Sequence, residues 1–121
     1  MENIYYLILD GHNSHVTLET IETCKSNNIR LLCLPAHSSH ILQPLDVGVF
    51  VHVKNSWRKV LADNYLTSGC QNIDKSIFPS LINKEFQSHE SLTRTHAIIG
   101  FQKSGLFPLD ITNIDETKLT I

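Results

Sequence analysis

Residues 4–9, Ile-Tyr-Tyr-Leu-Ile-Leu, form an unbroken apolar run that stops at Asp10-Gly11. That pattern predicts a buried central strand followed by a tight loop. From Val16 to Lys25 the apolar positions Val16, Leu18, Ile21 and Cys24 recur at helical spacing, with Thr17 or Ser14 as the cap and Glu19 and Glu22 where a helix dipole favours anions. Ser26-Asn27-Asn28 ends the helix, and Ile29 to Leu34 reads as a second buried strand stopped by Pro35. Strand, helix and strand with short joints predict a βαβ unit with parallel strands.

The next segment carries two periods at once. Val47, Val49, Val51 and Val53 alternate as in a strand, whereas Phe50, Val53, Trp57, Val60 and Leu61 make a helical stripe. Pro44 suits a helix start, and length favours one helix over 44–66. Two further helices are expected over 78–90, with Pro79 near its start, and over 92–103, with Leu92, Ile98, Ile99 and Phe101 on its apolar face. Gly105 reads as the cap and Pro108 as the stop. Residues from 111 onward read as a loose tail. The fold class is α/β, a βαβ unit followed by C-terminal helices.

Composition narrows the function classes. A chain of 121 residues with 41% hydrophobic content is one domain with enough apolar matter for a core. Ten basic against twelve acidic residues, a formal charge of −2, is not the balance of a strongly basic nucleic-acid binder, so any such contact must be local. The three cysteines Cys24, Cys33 and Cys70 make no CxxC, no export signal opens the chain, and the run over 4–9 is too short to span a bilayer. These features point to an intracellular chain, in cytosol or nucleus.

Chemistry concentrates around two aspartates 36 positions apart, Asp10 and Asp46. Taken singly, Asp10 is an ordinary turn residue and Asp46 an ordinary first-turn acid. Taken together, a carboxylate at a strand end and another on a helix packed over that edge can converge on a cation. Magnesium takes oxygen ligands at roughly 2.0–2.1 Å, and a pair of such ions can drive in-line attack at phosphorus. Ligand sites of open α/β sheets lie at this carboxyl edge, where the loop His37-Ser38-Ser39-His40 also falls. His12-x-x-His15 and His37-x-x-His40 would supply four nitrogens to zinc, but no cysteine is spaced to join them, so hydrogen bonding and loop positioning come first. Ser14, Ser38, Ser39 and Cys33 near histidines hint only weakly at a nucleophile, for no G-x-S-x-G is present. Lys54, Arg58 and Lys59, with Trp57 among them, are either a solvated helix face or a strip for phosphates.

The phrases Leu9-Asp10-Gly11-His12-Asn13-Ser14-His15, Leu34 to Phe50 (Leu-Pro-Ala-His-Ser-Ser-His-Ile-Leu-Gln-Pro-Leu-Asp-Val-Gly-Val-Phe) and Gly100 to Leu109 (Gly-Phe-Gln-Lys-Ser-Gly-Leu-Phe-Pro-Leu) resemble the DDE superfamily endonuclease domain. The branch they resemble is the pogo, tigger, jerky and centromere-protein-B group of transposases and transposase-derived proteins. Three phrases in the right order, spanning about residues 4 to 110, carry the likeness. It implies an RNase H-like fold, partial here, whose acids hold two Mg²⁺ or Mn²⁺ ions for DNA strand cleavage and transfer. Asp10 matches the family's second acid and Asp46 its third. His12, His15 and Gln43 match motif positions and are given supporting roles, and Lys54, Arg58 and Lys59 are the nucleic-acid contacts.

The departures shape the expectation. The family's first acid lies upstream, on a strand of an opening hairpin, and Glu2 cannot replace it; Val51-His52-Val53 departs from the more basic or proline-containing stretch of the family. Residues 1–110 therefore read as the latter part of a DDE domain and 111–121 as a tail. The expected partner is DNA, as a homodimer or within a larger transposase-like complex, and the expected compartment is the nucleus. Without a third acid the isolated chain is expected to lack efficient nuclease activity, and β1, the first strand, would be an exposed edge. The rival reading is a catalytically dead, host-adopted module for DNA or protein contacts.

Overall fold

The computed structural model describes residues 2–69, 72–88 and 93–119. Two strands, β1 (Tyr5–Leu9) and β2 (Ile29–Cys33), pair in parallel, with Tyr5 opposite Ile29 and Leu9 opposite Cys33. Helix α1 (Leu18–Ser26) connects them and packs on β2. Its start is fixed by Thr17, whose hydroxyl accepts from the Thr20 amide at 3.1 Å, the capping geometry that satisfies an orphan N–H. Ser14 is not the cap; it lies in a single 3₁₀ turn, Asn13–His15. Asn28 takes a left-handed conformation, φ 56°, which reverses the chain into β2.

The strands are not buried. Ile4, Tyr5, Tyr6 and Leu7 are 42–61% exposed and Leu32 48% exposed. The reason is geometric: the sheet has two strands among the described residues, and one helix cannot cover both faces of both strands. The chain as a whole exposes 9485 Å², roughly 1.4 times what a compact monomer of 13.7 kDa exposes.

Beyond β2, a short helix α2 (Ser39–Leu42) leads into a π-helical turn, Leu45–Val49, and then α3 (Phe50–Ser68). The expected helix over 44–66 is thus present as one unbroken helical stretch over 44–68 whose first turn is π-helical, and the alternating valines belong to helical backbone. The Phe50 amide reaches back five residues to the Leu45 carbonyl, which widens the turn; such insertions recur at functional sites. Helix α3 ends at Gly69, φ 68°. Its inner face, from Val53 through the buried Ser56 to Trp57, meets α4 (Phe78–Gln87), with Trp57 edge-on to Phe78 at 5.7 Å between ring centres. The end expected for α4 at Glu90, and Leu92 and Cys70, lie outside the described residues.

Helix α5 (Arg94–Lys103) packs across the π turn. The contact is backbone on backbone. A methyl group on Gly48 would collide with Gly100 Cα and stand 3.0 Å from the His96 carbonyl oxygen, and one on Gly100 would collide with the Pro44 carbonyl oxygen. Glycine is required at both places because only hydrogen fits between the two elements. Helix α5 then closes as expected at Gly105, φ 70°, with the Leu106 amide bonded to Phe101 O and the Gly105 amide to Gln102 O, the paired bonds of a left-handed cap.

Residues 111–119, expected as part of a loose tail, carry local structure. Two 3₁₀ turns, Ile111–Asn113 and Glu116–Lys118, follow Asp110 and Asp115. Each aspartate accepts from an amide and a hydroxyl two residues on: Thr112 N at 2.9 Å and Thr117 N at 3.1 Å. These bonds hold both carboxyls below the ordinary value of 3.8, the threonine hydroxyls being the main cause. The strap is anchored at two points. The Asp110 amide donates to Gly105 O at 3.0 Å, and His40 Nε2 lies 3.2 Å from the Lys118 carbonyl oxygen.

Candidate functional site

Parallel pairing makes the carboxyl ends of the two strands level. The Leu34 amide donates to Leu9 O at 2.8 Å, and Gly11 sits against Leu34 O and Ala36 N, 3.0 and 3.6 Å from where its Cβ would be. The loops after β1 and β2 therefore touch.

Asp10 follows β1 directly. Its Oδ1 accepts from His15 Nδ1 at 2.8 Å and, at 3.4 Å, from the His12 amide. A carboxylate only accepts, so His15 carries its proton on Nδ1 and presents Nε2 outward. Both contacts fall on Oδ1, which leaves Oδ2 for another partner. His12 turns away from the carboxylate: its Nδ1 bonds Ser14, hydroxyl at 2.6 Å and amide at 3.3 Å. The His-x-x-His spacing thus builds a capped 3₁₀ turn that holds Asp10, with the two imidazoles tilted against each other at 5.7 Å between ring centres.

Asp46 lies in the π turn, half-buried, and faces an open cleft of about 630 Å³ lined by His37, Ser39, His40, Phe50, Val51 and Lys54. Gln43 positions it through backbone alone: its amide donates to Ser39 O at 3.1 Å and its carbonyl accepts from Val47 N at 3.0 Å, linking α2 to the π turn. His37 stands in the left-handed region, φ 59°, which is uncommon for a residue with a Cβ and concentrates at sites held by their surroundings. Asp10 is not among the residues lining this cleft.

The cationic strip divides. Lys54 lines the Asp46 cleft, and Arg58 follows it at i+4 on the same side of α3, its guanidinium donating to Asn55 Oδ1 at 3.2 Å. Lys59 faces the other way, into a polar groove shared with Ser56, Asp63, Asn64 and Lys84. Gly48 and Gly100 are the positioning residues that period and charge overlook. An isolated glycine within a helical pattern was the available signal, since it costs about 1 kcal/mol there and needs a packing reason.

Mg²⁺ and Mn²⁺ prefer carboxylate oxygen, so Asp10 and Asp46 fit such an ion in kind. They do not fit in number: no group of three or more His, Cys, Asp or Glu among the described residues could hold a metal. The zinc arrangement of four histidines is likewise not formed among them.

Comparison with known proteins identifies the class. The model of the DDE superfamily endonuclease family matches residues 2–113, nearly the whole chain, and the chain belongs to that family. Divalent metals are general in it and DNA is the substrate the family implies. Among curated proteins, the chain is similar to an "MFS-type transporter clz9" of Cochliobolus lunatus, with 39% identity over 118 residues, 94% of this chain and 12% of that protein. The chain spans about 12% of the length of the curated relative it matches. No described helix is long and apolar enough to cross a membrane. No solved structure matches the chain.

Proposed function

We propose that this chain is a transposase-derived, DDE endonuclease-like domain of RNase H-like build, in the pogo, tigger, jerky and centromere-protein-B branch, and that it binds DNA through the carboxyl edge of its sheet. Asp10 and Asp46 serve as metal-binding acids and Lys54 and Arg58 as phosphate contacts. The observation that carries the reading is the family match over residues 2–113, combined with a parallel strand pair that leaves Asp10 at the strand end the family's acid requires. A DNA substrate makes the nucleus the compartment.

Strand cleavage with two ions requires a further acid beside Asp10 and Asp46. No third ligand joins them among the described residues, and this favours a second reading in which the domain binds without cutting. Incubation of the chain with supercoiled plasmid and Mg²⁺ or Mn²⁺, beside an anisotropy titration with labelled duplex, tests both readings. We expect retention of DNA without efficient nicking. Metal-dependent nicking abolished by Asp46→Ala would overturn the non-cutting expectation, and absence of any DNA binding would overturn the proposal itself.

A further inference from the structure

The cleft beside Asp46 is not a simple phosphate cradle. Its floor includes two exposed apolar side chains at the start of α3, Phe50 (38% exposed) and Val51 (53% exposed). Lys54 stands one turn beyond Phe50 on the same side, and Arg58 one turn beyond that. Along a helix each step is about 6 Å. An aromatic ring followed by two cations in register makes a track with an apolar end and a cationic end. The Asp46 carboxylate lies four positions before Phe50, at the apolar end, where without a cation it disfavours phosphate and leaves Lys54 and Arg58 as the phosphate end.

Duplex DNA does not use such a track. Its bases are stacked on one another and offer no free face to Phe50. An unpaired nucleotide fits each part. Its base can stack on Phe50, as bases do on aromatic platforms of single-strand binders, while its phosphates reach Lys54 and Arg58. A volume of about 630 Å³ lies within the usual range for a site that holds a small molecule. Among the other lining residues, His40 is tied to the strap, its Nε2 3.2 Å from Lys118 O.

We propose that the cleft is a subsite for one unpaired nucleotide at a strand end, with its base on Phe50 and its phosphates on Lys54 and Arg58. This rests on the DNA-binding reading above and names the form of DNA the site selects.

Three labelled hairpin duplexes distinguish the two: one blunt, one ending in two unpaired adenines, and one ending in two abasic residues. The last two carry the same phosphates, so their difference reads stacking alone. Fluorescence anisotropy with the full chain is expected to show the adenine end bound roughly tenfold tighter than the abasic end. Phe50→Leu should erase that preference, and Lys54→Gln should weaken both ends alike. Equal affinity for the adenine and abasic ends in the unaltered chain overturns the subsite, whatever the variants do, and leaves DNA binding standing. A preference that persists in a folded Phe50→Leu variant also overturns it. Failure to bind any of the three hairpins overturns the DNA-binding reading along with the subsite.

Discussion

Replacing Gly48 by alanine tests how Asp46 is held. The glycine sits in the π turn directly against α5, with backbone atoms of Gly100 and His96 in the space a methyl group would take. Neither neighbour is a flexible side-chain end, so the two elements must part. Parting by about 1 Å forfeits a quarter to a half of the dispersion at each contact, and overpacking of this kind costs about 1–3 kcal/mol, occasionally more. Alanine's better helix propensity returns about 1 kcal/mol, for a net loss of about 1 kcal/mol in a domain whose total stability is about 5–15 kcal/mol. The single tryptophan, Trp57, packs edge-on to Phe78 and reports unfolding. In a urea titration the midpoint should fall by about 0.5 M with the slope unchanged. Gly100→Ala should behave alike, and the double variant should lose less than the two singles together, because both methyls open one gap. Gly69→Ala is the control: φ is 68° but the space around it is open, so only the left-handed strain of about 1 kcal/mol applies. A Gly48→Ala midpoint equal to that of the unaltered chain would refute the account of the Gly48–Gly100 contact.

Further outcomes follow from the same structure. The Asp110 and Asp115 carboxyls are held low by Thr112 and Thr117, so their support of the strap is present above pH 3.8 and lost as pH falls through the lowered values. The protection factors of the Thr112 and Thr117 amides, exchange corrected for its intrinsic pH dependence, should therefore fall on acidification below pH 3.8, and factors unchanged down to pH 2 would contradict it. On β1 the exposed Leu7 lies in an uncharged run without proline, a surface prone to edge pairing. Leu7→Lys should lower light scattering at high protein concentration, and equal scattering would show that association uses another face. Replacing Lys54 should flatten the salt dependence of single-strand binding by about 0.7 in log–log slope, whereas Lys59→Ala, on the groove facing α4, should leave it unchanged.

What the sequence disclosed was local. Thr17 before an apolar period, Gly105 after one and an apolar run ending at Asp10 each announce an element through their own chemistry, and each is where it was read. The π turn is different. It docks against Gly100 of α5, about 50 positions along the chain, and no period within 44–66 encodes that contact. Exposure of β1 could not be inferred from its composition either. A run such as Ile-Tyr-Tyr-Leu-Ile-Leu predicts burial, yet burial depends on what covers it, and one helix covers little. The strap was legible and missed: Asp110-Ile111-Thr112 and Asp115-Glu116-Thr117 repeat one local turn chemistry. At the site, charge spacing grouped Lys54, Arg58 and Lys59, but a helix rotates about 100° per residue, which sends Lys59 toward α4.

The proposed function stands most directly on Asp10 and Asp46 acting on one cation. Binding of Mn²⁺ to the chain, followed by the loss of its free electron-paramagnetic signal, measures this without reference to cleavage. Weak binding is predicted, displaced by Mg²⁺ and weakened at least about tenfold by Asp10→Asn and by Asp46→Asn alike, with Asp63→Asn unaffected. Binding indifferent to either substitution, or lost with only one of them, would contradict a shared site.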